Sequence, residues 1–268
     1  MLELIDFINH EIPEEVAYTS LCECCKRGLD FSKNSVLPLI FPLLHDIDGI
    51  YVDDFFQLKH CISANLREIF IGKGIDSFLV LHHQSTLEAL HINDLDGCLF
   101  QLLHTLPYLN NLRVLSLNNC KIDDESLELL IKTLKSTKRS VPLELFLDDN
   151  EFTLLPACIR ELELDTLSIS NCKVSEMPTT LNSSKLFIDG TNIELTEIQQ
   201  TYVNTEIIGI TVDVTDKDHF NELDNIICTA FPNAKHLYIM GSNGNSNQYL
   251  QKNSNHFMKN GCLLHIFQ

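Results

Sequence analysis

The stretch LRVLSLNNCKI, Leu112 to Ile122, decides the fold. Its apolar residues Leu112, Leu115, Leu117 and Ile122, with Cys120 between, follow the spacing L-x-x-L-x-L-x-x-N/C-x-L, written here as positions one to eleven. Within the short strand, side chains alternate between two faces, so positions four and six point to one side. A small polar or thiol group at position nine can hydrogen-bond backbone groups of the turn that follows. The spacing recurs at Leu145, Leu147, Asn150 and Phe152, followed by Leu155-Pro156. It recurs again at Leu164, Leu167, Ile169, Cys172 and Val174, followed by Met177-Pro178.

Weaker copies lie on either side. Upstream are Leu29-Phe31-Asn34, Ile47-Ile50-Val52, Leu66-Ile69-Ile71 and Leu87-Leu90-Ile92. Downstream are Leu186-Ile188, Ile208-Ile210, Leu237-Ile239 and Leu264-Ile266. One match means little, since any amphipathic strand supplies it, but a register kept from end to end is strong. It predicts an α/β leucine-rich repeat solenoid of about eleven units of roughly two dozen residues, with an N-terminal helical cap. The expected domains are a capping segment over residues 1–46 and the repeats over 47–268.

Connections between strands differ. DDESLELLIKTLK, Asp123 to Lys135, places Leu127, Leu130, Ile131 and Leu134 at helical spacing, acids first and lysines last. Lys217 to Phe231 has a similar pattern through Phe220, Leu223, Ile226 and Ile227. The middle units, with their Leu-Pro and Met-Pro endings, predict 3₁₀ turns or extended returns, and GSNGNSNQ, Gly241 to Gln248, predicts a surface loop. Thr201 to Phe231 reads equally as a degenerate repeat or an insertion.

With 19 Lys and Arg against 37 Asp and Glu in 268 residues, the formal charge of −18 repels phosphate backbones and anionic lipid, which argues against nucleic-acid and membrane partners. Apolar residues at 44% suffice for a sizeable core, so the ten cysteines are not needed as staples. Glu3 and Asp6 interrupt the first apolar stretch, and no run is long enough to span a membrane. A reduced, cytoplasmic or nuclear protein is expected.

Each candidate for catalysis fails on spacing. Cys22, Cys24 and Cys25 form one C-x-x-C pair without the second that zinc needs. Gly72-Lys73-Gly74 lacks the remaining residues of a phosphate loop, and Asp148-Asp149-Asn150 lacks the closing Glu of a calcium loop. The eleven histidines are scattered and read as solvated or packed residues. No cofactor or metal is expected, nor an enzyme.

The expected function is therefore binding. Positions five and seven point out of the concave side. Position five carries Tyr51, Phe70, His91, Phe146, Phe187, Tyr238 and His265, and position seven carries Asp53, Asp148 and Asp189. Aromatic anchors beside carboxylates suit a protein or peptide client with apolar and basic groups, bound more weakly as salt rises. The alternative is that the rings only pack on one another along the sheet.

Ahead of the repeats, SLCECCKRGL places Ser20, Leu21, Cys25 and Leu29 at the fixed positions of an elongin-C-binding box, [APST]-L-x-x-x-C-x-x-x-[AILV]. Leu21, Cys25 and Leu29, at i, i+4 and i+8, form one apolar ridge on a helix. LPLIF follows, and Leu37, Pro38 and Phe41 fit the start of a cullin 2 box; its last apolar place falls on His45, leaving the choice of cullin open. A box of this kind followed by leucine-rich repeats resembles the Zyg-eleven/Zer family of substrate receptors for cullin-RING ubiquitin ligases. The resemblance implies docking to elongin C with elongin B, and through a cullin-2-type scaffold to the ligase. Family members read substrate N-termini with armadillo-like repeats, which the sequence to Gln268 does not contain, so that activity is not expected. Two other readings of the segment stand: a plain capping helix on a leucine-rich scaffold, and an F-box trace at Ile12 to Val16.

Overall fold

The computed structural model describes residues 49–52, 66–71, 81–82, 84–95, 97–214, 216–242, 244–252 and 261–266. The predicted cap, the unit at Leu29 and the boundary at residue 46 lie outside the described residues. The chain forms two compact units. Unit 1 comprises the described residues up to Cys120 together with Ser136–Ser140, and unit 2 comprises Lys121–Lys135 and the residues from Val141 on.

In unit 1, β1 (Gly49–Val52), β2 (Glu68–Ile71), β3 (Ala89–Ile92) and β4 (Val114–Ser116) pair in parallel, each with the next in sequence. In unit 2, β5 (Leu143–Phe146), β6 (Leu164–Ser168), β7 (Ser183–Phe187), β8 (Ile207–Val212), β9 (His236–Gly241) and β10 (Leu263–Ile266) do the same. Position four lines up across every strand of unit 2: Leu145, Leu167, Leu186, Ile208, Leu237 and Leu264 stand side by side and are all buried. Burying each such side chain contributes about 1.5–3 kcal/mol, so a one-residue slip, which turns the whole row to water, is excluded. β8 stands in this register, which makes the stretch from Thr201 to Phe231 a regular repeat. One irregularity breaks the pairing: between Leu143↔Leu164 and Glu144↔Thr166 the register shifts, leaving Asp165 as the extra residue of a bulge.

The turn after each strand shows why the template ends as it does. Position eight is left-handed in four repeats, at Asn119 (φ 54°), Asp149 (57°), Asn171 (58°) and Gly190 (68°). These are the residue types that tolerate this conformation best. Position nine then knits neighbouring turns. The Cys120 thiol donates to the Ile92 carbonyl at 3.3 Å and the Cys172 thiol to the Leu147 carbonyl at 3.2 Å, while Asn150 accepts from Ile122 N at 3.0 Å and donates to the Leu147 carbonyl at 2.8 Å. Burial pushes the Cys120 thiol up to about 12 and the Cys172 thiol up to about 11, so both stay protonated donors.

Four α-helices occur among the described residues: α1 (Leu99–Thr105), α2 (Asp124–Ser136), α3 (Lys217–Ala230) and α4 (Gly244–Lys252). Helix α2 buries Leu127, Leu130, Ile131 and Leu134, the four residues its spacing marks. Its Asp124 carboxylate reaches the next repeat and accepts from Thr153 N at 2.7 Å and Leu154 N at 3.0 Å. Helix α3 starts at Asp216, whose side chain accepts from Asp218 N and His219 N. The middle repeats return through 3₁₀ turns at Ala157–Glu161 and Leu195–Glu197.

The expectation of a surface loop over Gly241 to Gln248 is corrected: Gly241 ends β9 and α4 begins at Gly244. Its polar composition hides a buried edge at i, i+4, where Ser246 and Leu250 are both fully covered. The Ser246 hydroxyl donates to Asp213 Oδ1 at 2.6 Å, which satisfies the polar group that burial would otherwise penalise.

Candidate functional site

The face of unit 2 opposite the leucine row is built from strand residues in direct register. Phe146, Ser168, Phe187, Gly209, Tyr238 and His265 stand side by side on β5 to β10. Large side chains fall on β5, β7 and β9, and small ones on β6 and β8. Phe187 leans over Gly209, where an added Cβ would meet its Cδ1 at 2.5 Å. Tyr238 stacks on His265 with centroids 4.4 Å apart and planes 13° from parallel. Phe146, Phe187, Tyr238 and His265 each remain half-buried, with part of the ring in water.

One row further, at position seven, Asp148 and Asp189 are joined by the hydroxyls between them. Asp148 Oδ1 accepts from the Ser168 hydroxyl at 2.5 Å and from Ser170 N at 2.8 Å, and the Ser170 hydroxyl donates to Asp189 Oδ1 at 2.7 Å. Thr211 continues the row by accepting from Gly190 N at 2.8 Å. Burial holds the Asp148 carboxyl above its ordinary range against the lowering effect of these donors. On the other flank, Lys185 pairs with the bulged Asp165 at 2.8 Å, and that carboxylate raises the Lys185 ammonium. The predicted carboxylates are thus fixed acceptors of an inter-strand network as well as surface charges.

His236 was missed in the sequence because its partner is 29 residues away: its Nδ1 and His265 Nε2 are hydrogen-bonded at 3.0 Å. Only the register of β9 and β10 brings them together. In unit 1, Phe70 and His91 stack at 4.2 Å and 8°, and the His91 ring contacts Glu68 Oε1 at 3.2 Å. Burial lowers the His91 pKa against the raising effect of that carboxylate. Tyr51 lies on β1, while Asp53, the box residues Ser20, Leu21, Cys25 and Leu29, and Leu37, Pro38 and Phe41 lie outside the described residues.

Among the described residues no three His, Cys, Asp or Glu side chains are grouped to hold a metal ion, and no helix is long and apolar enough to cross a membrane.

No family model and no curated protein sequence matches the chain. Among solved structures it is similar to the leucine-rich repeat protein LIC12759 of Leptospira interrogans, at 14% identity and a TM-score of 0.46, over 84% of this chain and 62% of that one. It is also similar to an internalin, InlF, of Listeria monocytogenes, at 16% identity and a TM-score of 0.43, over 85% of this chain and 70% of that one. The chain therefore spans less than two thirds of the length of the Leptospira protein. The class follows from the chain's own strands: the eleven-position spacing, the parallel pairing in sequence order and the position-nine ladder are those of a leucine-rich repeat protein.

Proposed function

We propose that this chain is a non-catalytic protein-interaction adaptor, and that it serves as the substrate-recognition subunit of an elongin BC–cullin-RING ubiquitin ligase in the cytoplasm or nucleus. The observation that carries the binding role is the face of unit 2, where half-exposed rings at Phe146, Phe187 and Tyr238 stand in register beside Asp148 and Asp189. Large rings on rigid strands lose little entropy on binding, and the carboxylates select a basic client. The link to the ligase rests on Ser20, Leu21, Cys25 and Leu29, with Leu37, Pro38 and Phe41 behind them. Elongin C, elongin B and a cullin-2-type scaffold are the partners this segment would recruit.

A second reading, a leucine-rich scaffold without a ligase link, draws on the Asp148–Ser170–Asp189 network in unit 2 and, separately, the Phe70–His91 stack in unit 1, each of which stabilises its own unit without any partner. Deleting residues 1–25 separates the two. A docking helix can be removed with little change in the melting temperature and with complete loss of elongin capture. Removal of a cap destabilises or aggregates the array.

A further inference from the structure

From β5 to β9, large and small residues alternate along the face of unit 2 with a period of two strands, and on β10 His265 stacks on Tyr238 at the end of the row. Phe146, Phe187 and Tyr238 stand on β5, β7 and β9, with Ser168 and Gly209 between them. Neighbouring strands lie about 4.8 Å apart, so the rings repeat about every 9.6 Å across the strands. The carboxylates of Asp148 and Asp189 follow the β5 and β7 strands and share that interval. On β9 the same row ends in Met240, which is 41% exposed.

A ligand crossing these strands must match the 9.6 Å step. An extended β-strand presents same-side residues about every 6.7 Å and falls out of step by more than 5 Å over two intervals. A polyproline II helix has three residues per turn at about 3.1 Å each, so its edges repeat every 9.3 Å and stay within about 1 Å over the same span. Two of its three edges rest on a flat surface: one meets the ring row and the other meets the carboxylate row. Such a helix has no internal hydrogen bonds and is pre-ordered, which suits docking on aromatic surfaces.

We infer that the client of this face is a proline-rich segment in polyproline II conformation, with basic side chains three residues apart opposite Asp148 and Asp189 and an apolar one opposite Met240. This deepens the proposed binding role and depends on it. Asp189 sits in the carboxylate row with its Oδ1 oriented by Ser170, and asparagine there keeps the acceptor while removing the charge.

The test is fluorescence anisotropy of the full chain with labelled Arg-Pro-Pro-Arg-Pro-Pro-Leu-Pro-Pro. The comparison peptides place the two arginines four residues apart, or replace every proline by glycine. The expected result is binding at least about tenfold tighter than to either comparison, an energy difference of about 1.4 kcal/mol, and a similar loss in Asp189→Asn. Met240→Glu, on an exposed site, extends the carboxylate row and should tighten binding of (Arg-Pro-Pro)3 several-fold relative to the wild type. Equal binding of all three peptides, all weakened by Asp189→Asn, overturns the spacing inference but leaves a basic-client surface standing. No binding of any of them by the folded chain overturns both.

Discussion

Gly209→Ala tests the packing of the face atom by atom. The new Cβ would lie 2.5 Å from Phe187 Cδ1 and 3.2 Å from Cε1, where ordinary carbon contacts are about 3.5–4.0 Å. The ring must move by about 1 Å while β7 and β8 keep their pairing, and overpacking of that size costs about 1–3 kcal/mol. Against it stands a gain of about 0.4–1 kcal/mol, because alanine has less unfolded-state entropy to lose. The clash wins, so Gly209→Ala should destabilise unit 2 by roughly 0.5–2 kcal/mol. In a Phe187→Ala background the clash is gone and only the gain remains, so the same change should stabilise. Chemical denaturation of the wild type, both single variants and the double variant gives the coupling directly. Equal effects of Gly209→Ala in both backgrounds would refute the placement of Phe187 over Gly209.

Further outcomes follow from the same structure. Asn150→Ala leaves a buried N–H of Ile122 and the Leu147 carbonyl without this partner and should cost about 2–4 kcal/mol by denaturant titration, well above the cost of Cys172→Ser. Leu250→Ala should cost about 2–5 kcal/mol, whereas a solvated loop there would show no change. Asp148 has a higher pKa folded than unfolded, so its contribution to stability rises as pH falls through the folded value and is lost as pH rises. Asp148→Asn, which keeps an acceptor for Ser168 and Ser170, should therefore raise the denaturation midpoint at neutral pH and lose that advantage near pH 4; a constant offset at both would contradict it. Alkylation at pH 8, followed by mass spectrometry, should label Cys158 and Cys98 well before Cys120 and Cys172, whose thiols burial holds at about 12 and about 11.

Much of the array is legible from spacing because each repeat obeys a local rule. Leu115 and Leu117 must point inward together, and Leu127 to Leu134 can only share a face on a helix. Position eight is equally legible: Asn119, Asp149 and Asn171 precede position nine in the three strong copies, Gly190 holds the same place in the next copy, and all four mark left-handed turns. What spacing could not reveal depends on which repeats stand beside each other and how side chains lean between them. The bulge at Asp165, the contact of His236 with His265 and the seating of Phe187 over Gly209 arise from register across strands. Helix α4 was hidden differently, because Ser246 is buried by a hydrogen bond to Asp213 that no hydropathy pattern signals. In the face itself, the identities at positions five and seven were readable, while the coupling of Asp148 to Asp189 through Ser170 was not.

The proposed adaptor role requires one chain to couple a client-binding array to a ubiquitin ligase through Leu21, Cys25 and Leu29. Isothermal titration of the purified full chain with the elongin B–C complex tests it most directly. Saturable one-to-one binding is expected, and Leu21→Ala with Cys25→Ala should abolish it while the melting temperature of the repeats stays unchanged. A wild-type chain that melts cooperatively yet gives no heat of binding with elongin B–C would contradict it.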